Sequence, residues 1–231
     1  MIGIIGAMDS EVRILCEKLS GKEIIEFQGL QFNKGILDGK EVVVVKSGIG
    51  KVNAALCAQL LIIKFGAEKV INTGIAGATG TGLGIFDFVV STATVYHDFD
   101  CAFFGYEAGQ IPGMAKEFSA DASMVESTLK AFGETEFSKK HKMVKGLIAS
   151  GDQFISSGEK KDYIKNTFNP LCVEMEGSAI AHACTLNKTP FVIIRCMSDM
   201  ADDSAEATYN FNEDECAEMC SKLILNIIAK I

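Results

Sequence analysis

The chain has 231 residues, 48% of them apolar, and a formal net charge of -8. That length suits one large α/β domain over residues 1–231, and the acidic balance argues against nucleic acid or an anionic membrane as partner. No apolar run approaches the ~20 residues of a membrane helix, no basic segment precedes the apolar start as in a signal peptide, and only Arg13 and Arg195 offer the planar donors favoured for gripping phosphate.

Ile2 to Ile5 reads as a short buried strand, followed by a helix from Asp9 to Leu19 that Asp9 or Ser10 can cap. Val12, Leu15, Cys16 and Leu19 form its inner stripe. Glu11 falls in its first turn, where an ordinary acid is favoured by the helix dipole. Ile24 to Phe27, Leu30 to Leu37 and Glu41 to Lys46 alternate as antiparallel strands around turns at Gly29 and Asp38-Gly39. Ser47-Gly48-Ile49-Gly50-Lys51 then feeds a helix to Phe65, with Val52, Leu56, Gln59/Leu60 and Ile63 carrying its period. The spacing is not that of a phosphate-binding P-loop, so this loop reads as backbone packed close to a ligand.

Lys69 to Thr73 is a strand leading into the glycine run Gly74 to Gly84, either a flexible turn system or backbone lying against a flat base or sugar. Phe86 to Ser91 and Ala93 to Tyr96 restore strand character. Periodicity disappears from His97 to Lys116, yet six large apolar or aromatic side chains lie there, which suits a ligand lid or a subunit contact. Asp121 to Phe132 is a helix, Met143 to Ser150 a strand, and Ser156 to Phe168 a short helix or loop. Leu171 to Val173 is a strand, and Met175, Ala179, Ile180 and Ala183 give the following segment a helical apolar face. Glu174 and Glu176 therefore lie where strand gives way to helix, on the edge of an open α/β sheet where ligands bind. Phe191 to Met197 ends at Ser198-Asp199 and is expected to finish on the same edge. Asp202 to Glu206 reads as an acidic loop, and Glu213 to Lys230 as a closing amphipathic helix.

The eight cysteines include no Cys-x-x-Cys pair, and His97, His141 and His182 have no metal-spaced partner. They read as packed, reduced thiols in a cytoplasmic chain and as structural histidines, with no metal site. Glu11, Glu176 and Asp199 instead fall at the ends of different strands, with Phe154 and several glycines. Cleavage of an N-glycosidic bond uses such groups. A desolvated carboxyl donates a proton to the leaving base, a second carboxylate activates water, a third holds ribose hydroxyls, and an aromatic face stacks on the purine.

The motifs also carry a resemblance. Gly3-Ile-Ile-Gly6-Ala-Met8-x-x-Glu11, Ser47-Gly-Ile-Gly-Lys51, Asn72-Thr-Gly74-x-Ala76-Gly77, Ser150-Gly-Asp152-x-Phe154-Ile155, Val173-Glu174-Met175-Glu176 and Arg195-x-x-Ser198-Asp199 occur in that order. Together they resemble the bacterial 5'-methylthioadenosine/S-adenosylhomocysteine nucleosidases of the purine/uridine nucleoside phosphorylase superfamily. The resemblance implies a three-layer α/β/α fold around a central mixed, twisted sheet, no cofactor, and a homodimer with shared active sites. It implies that Asp199, helped by Ser198, protonates N7 of adenine and that Glu11 activates water at C1'. Glu176 would hold the ribose beside Met175, Phe154 would stack on adenine, and Ile155 backbone groups would read its Watson–Crick edge. Arg195 would order the region. Met8, Ile49 and Phe211 would line the 5'-alkylthio pocket, with Cys101, Phe104, Tyr106 and Pro112 from the neighbouring subunit. Ile75 stands where the family commonly has Ser. The loop from Asp199 to Phe211 looks longer than usual, which makes Tyr209 a rival for the Phe211 role. Other readings are a phosphorolytic relative, an aminodeoxyfutalosine nucleosidase, and a nucleoside-binding protein without activity.

Overall fold

In the computed structural model, which describes all 231 residues, hydrophobic side chains alternate along the strands and reach two separate cores. Along β4 (Lys40–Lys46), Val42 and Val44 face one core and Val43 and Val45 the other. β10 (Phe191–Asp199) does the same, with Val192 and Ile194 opposite Phe191 and Ile193. Burial on both faces at about 1.5–3 kcal/mol per large aliphatic side chain is what requires helices on both sides. The first core is covered by α1 (Asp9–Lys18), α3 (Ala122–Gly133) and α6 (Ala205–Ile228). The second is covered by α2 (Lys51–Phe65) and α5 (Gly177–Asn187). α4 (Gly158–Phe168) closes a small third cluster through Ile164 and Phe168. These are the three layers expected, and no helix is long and apolar enough to cross a membrane.

The remaining strands are β1 (Ile2–Gly6), β2 (Ser20–Phe27), β3 (Leu30–Leu37), β5 (Lys69–Ala78), β6 (Phe88–Tyr96), β7 (Phe118–Ser119), β8 (Met143–Ser150) and β9 (Cys172–Glu174). β5 is the hub. It pairs in parallel with β1 and β10 and antiparallel with β9. β10 also pairs with β6, β6 with β8, and β8 with β9, so β5 and these four strands close a ring of five. From β1 the sheet runs on through β4, β3 and β2.

Several expectations change. The glycine stretch after Thr73 is a turn system only in its second part; β5 continues through Gly74 and Gly77 to Ala78, and turns follow from Thr79. On α2, Val52, Leu56 and Ile63 are 70%, 60% and 64% exposed, and the buried face is Ala54, Cys57, Ala58 and Leu61. The small residues on this face let α2 pack closely, most extensively against α5. β6 is one strand with a bulge between Ser91 and Ala93. β9 runs antiparallel to β5 and hence opposite to β10, so Glu174 and Asp199 arrive from opposite directions, yet both strand ends meet β5 at Ala76 and Gly77 and lie together as expected. Neither Asp9 nor Ser10 caps α1, whose N-cap is Met8. α6 begins at Ala205, turning part of the expected acidic loop into helix.

Candidate active site

The site is built at an interruption in the sheet. β1 covers one edge of β5 as far as Asn72, and β9 takes up that edge only at Gly77. The Glu11 carboxylate fills the gap. Its Oε1 accepts from the Ile75 N–H at 3.1 Å. Its Oε2 accepts from Ala7 N–H at 2.6 Å and Met8 N–H at 3.1 Å, satisfying free donors at the start of α1. Glu11 is only 3% exposed, and burial raises its pKa, with Arg195 and the three N–H groups opposing. Gly74 makes the approach possible, since a Cβ there would lie 2.5 Å from Glu11 Oε1 and 2.6 Å from Arg195 Nη1.

Glu174 ends β9 and binds the first turn of α5. Its Oε2 accepts from the N–H groups of Glu176 at 3.0 Å and Gly177 at 2.7 Å, and from Arg195 Nη2. Its Oε1 accepts from the Ser150 hydroxyl. Arg195 Nη2 also donates to Asn72 Oδ1 at 2.6 Å, and Asn72 Nδ2 to the Ile5 carbonyl at 2.9 Å, tying β10, β5 and β1 together. One guanidinium thus serves three buried carboxylates unequally. Burial pushes Glu174 up, but Arg195 beside it holds its pKa below the usual carboxylate value. Glu176, 3.8 Å from Arg195 Nη2, is pushed up to about 7 by burial, with the Glu174 charge adding to it.

Asp199 ends β10. Its Oδ2 accepts from Ser198 Oγ at 2.8 Å and its Oδ1 from the Ala201 N–H at 2.8 Å. A Cβ on Gly77 would come within 2.7 Å of Asp199 Oδ1, so a second glycine of β5 makes room for a second acid. Burial raises the Asp199 pKa against these two hydrogen bonds. Asn212 Nδ2 donates to the Ser198 carbonyl at 3.0 Å and anchors this strand end to α6.

These groups open onto one cavity of about 490 Å³. Of the residues singled out from the sequence, Met8, Glu11, Ile49, Ala76, Gly77, Phe154, Glu174, Met175, Glu176, Ser198 and Asp199 all line it, and so does Ile75. Ile155 lies buried next to Phe154. Phe211 is 88% exposed and outside the cavity, whereas Tyr209 lines it. Tyr209 meets Phe154 edge-on, with centroids 5.5 Å apart, and its hydroxyl donates to Met8 Sδ at 3.3 Å. Glu206 and Asn210, which sequence reasoning missed, also line it. Glu206, Tyr209 and Asn210 share a helix face at i, i+3 and i+4, a signal hidden when α6 is started at Glu213. Cys101, Phe104, Tyr106 and Pro112 do not line this cavity, nor does Arg195.

The lining contains no lysine, arginine or histidine. Lys46 pairs with Asp9 at 2.7 Å, and Lys51 with Asp98 at 2.7 Å. A concave pocket with an aromatic wall and acids in distinct electrostatic states can bind a flat, neutral base and deliver and accept protons at separate points.

The Phosphorylase superfamily model matches residues 1–229. The chain is 42% identical over 232 residues to the 5'-methylthioadenosine/S-adenosylhomocysteine nucleosidase of Staphylococcus carnosus (strain TM300), covering 100% of both. It superposes with a TM-score of 0.96 on the crystal structure of the corresponding Neisseria meningitidis nucleosidase in complex with methylthio-immucillin-A, at 38% identity, covering 100% of this chain and 99% of that one. A futalosine hydrolase mutant of Helicobacter pylori strain 26695 is also similar, with a TM-score of 0.94 at 32% identity, covering 100% and 99%.

Proposed function

Because this chain belongs to the 5'-methylthioadenosine/S-adenosylhomocysteine nucleosidase family of the phosphorylase superfamily, we propose that it hydrolyses the N-glycosidic bond of both compounds, and of 5'-deoxyadenosine. The products are adenine and the free 5-substituted ribose. Protonated Asp199 gives its proton to N7 as the C1'–N9 bond breaks and the electron pair moves to the base. Ionised Glu11 takes a proton from the water whose oxygen bonds to C1'. Glu176 holds the ribose hydroxyls beside Met175, Phe154 stacks on the base, and the Ile155 backbone meets its Watson–Crick edge. Arg195 orders Glu174 and β5 behind the site. Met8, Ile49 and Tyr209 suit the 5'-alkylthio group; the exposed position of Phe211 gives no support for that role.

The observation that carries this reading is a wall of carboxylates without a cation. Phosphate at neutral pH carries between one and two negative charges and needs cationic donors, and buried carboxylates near C1' repel it while accepting a proton from water. Incubated with 5'-methylthioadenosine, the protein is expected to release adenine and 5-methylthioribose at a rate indifferent to added phosphate. A sugar 1-phosphate, or a rate rising steeply with phosphate, refutes hydrolysis. The likeness to the futalosine hydrolase favours one second reading, the same chemistry on aminodeoxyfutalosine, and parallel assays with the two nucleosides separate them by their kcat/KM.

The assembly proposed is a homodimer. Exposed Val52 and Leu56 border a groove with Phe99 and Ile111, and Phe104 is exposed in the aperiodic segment. Apolar patches of this kind usually mark interfaces. Cys101, Phe104, Tyr106 and Pro112 then reach the partner's site. Sedimentation at concentrations where activity is retained should give a dimer, and an active monomer disproves the shared site. The location proposed is the cytoplasm, in keeping with eight free thiols.

A further inference from the structure

The turn between β4 and α2 meets the site at one atom pair. The Gly50 N–H donates to Glu176 Oε1 at 2.8 Å, the only hydrogen bond that this carboxylate accepts within the chain. Gly48 at φ +84° and Gly50 at φ +97° hold conformations that side chains disfavour, so the turn does not keep this shape by local preference alone. Lys51 holds it. Its N–H donates to Asp152 Oδ1 at 2.8 Å, and its Nζ donates to both oxygens of Asp98 at 2.7 Å and lies 3.7 Å from Asp152 Oδ2. The Asp152 N–H in turn donates to Asp98 Oδ2 at 2.8 Å. The loops that follow β4, β6 and β8 are thereby closed on one ammonium group. Lys51 and Asp98 are mostly buried, and neither lines the active-site cavity. Burial pushes the Asp98 carboxyl up, but Lys51 and the Asp152 N–H bring its pKa below the usual value, as for a committed ion pair.

We propose that Lys51 and Asp98 are positioning residues that aim the Glu176 carboxylate at the ribose through the Gly50 N–H. The inference rests on the reading of Glu176 as the ribose-binding group. Without the latch Glu176 has only the charge of Arg195, 3.8 Å away, to favour its ionised form, against burial and the charges of Glu174 on β9 and Glu11 on α1. A hydrogen bond to a charged group is worth roughly a factor of ten or more in affinity.

The test uses the full chain and two ligands, free adenine and 9-deazaadenosine, a C-nucleoside that cannot be hydrolysed. In Lys51→Met and Asp98→Asn, the affinity for 9-deazaadenosine is expected to fall about tenfold or more while that for adenine is unchanged. With 5'-methylthioadenosine, KM should rise more than kcat falls, and the acid limb of kcat/KM should move to higher pH as Glu176 becomes harder to ionise. Lys51→Arg should restore nucleoside affinity in part. Equal weakening of both ligands, or of neither, overturns the proposal even where the melting temperature drops. If Lys51→Met does not fold, Asp98→Asn, which keeps an acceptor for the Asp152 N–H, decides alone. A wild type that binds 9-deazaadenosine but releases no adenine from 5'-methylthioadenosine refutes the proposed reaction and leaves the latch standing.

Discussion

Asp199→Asn is expected to lower turnover on 5'-methylthioadenosine by roughly 10²–10⁴-fold, the range of general acid catalysis, or about 3–5 kcal/mol of transition-state stabilisation. Asparagine keeps the shape, and its carbonyl can still accept from the Ala201 N–H. It can hydrogen-bond N7 but has no proton to give up, so adenine leaves as a poor, unneutralised anion. Ligand binding and folding should largely survive. The pH profile follows from the sign of the shift. Burial raises the Asp199 pKa, and the protonated form is the active one, so the rate falls as pH rises through that value. Steady-state release of adenine from the variant measures the loss; near-native turnover ends the assignment.

Glu11→Gln is expected to abolish measurable turnover while leaving adenine binding, and it should also destabilise the fold. Glu11 accepts two N–H groups on Oε2 and one on Oε1. A glutamine carbonyl placed at Ala7 and Met8 turns its NH₂ toward the Ile75 N–H, donor against donor. An unsatisfied buried donor costs about 1–3 kcal/mol, which should appear in the melting curve. The base is active when ionised and burial raises its pKa. The wild-type rate therefore falls as pH drops through the raised values of Glu11 and of ribose-binding Glu176, giving a bell with the Asp199 limb on the alkaline side. Turnover in the glutamine variant comparable to wild type assigns water activation elsewhere.

Much of this molecule could be read in its residues, and the failures have physical causes. The meander β2–β3–β4 and the helix beginning at Asp121 were local, set by turn residues and periodicity, and they stand as expected. The continuation of β5 through Gly74 and Gly77 was not legible, because the reason for those glycines is the carboxylates that approach them from distant parts of the chain. The helical period of α2 was visible but marked the wrong face, since Ala54 and Ala58 buy close packing that hydrophobicity does not register. The acids of the cavity were recognisable as a set. Their convergence was expected too, but not its route, because Glu174 arrives on a strand running against β5. Tyr209 was named only as a rival to Phe211, and the choice turned on where α6 begins.

The ring of strands that includes β5 also decides where this protein is exposed to unwanted self-assembly. The ring leaves little border, so the longest free rim of the sheet is that of β2, whose outer N–H and C=O groups can template another chain. That rim carries Lys22, Glu23 and Glu26, and its register slips between Ser20 and Glu23. Charge and irregular pairing there discourage edge-to-edge stacking, although Ile24 is exposed on the same strand. Resistance to aggregation thus rests on a few surface residues of β2, far in function from the acids that cleave the nucleoside.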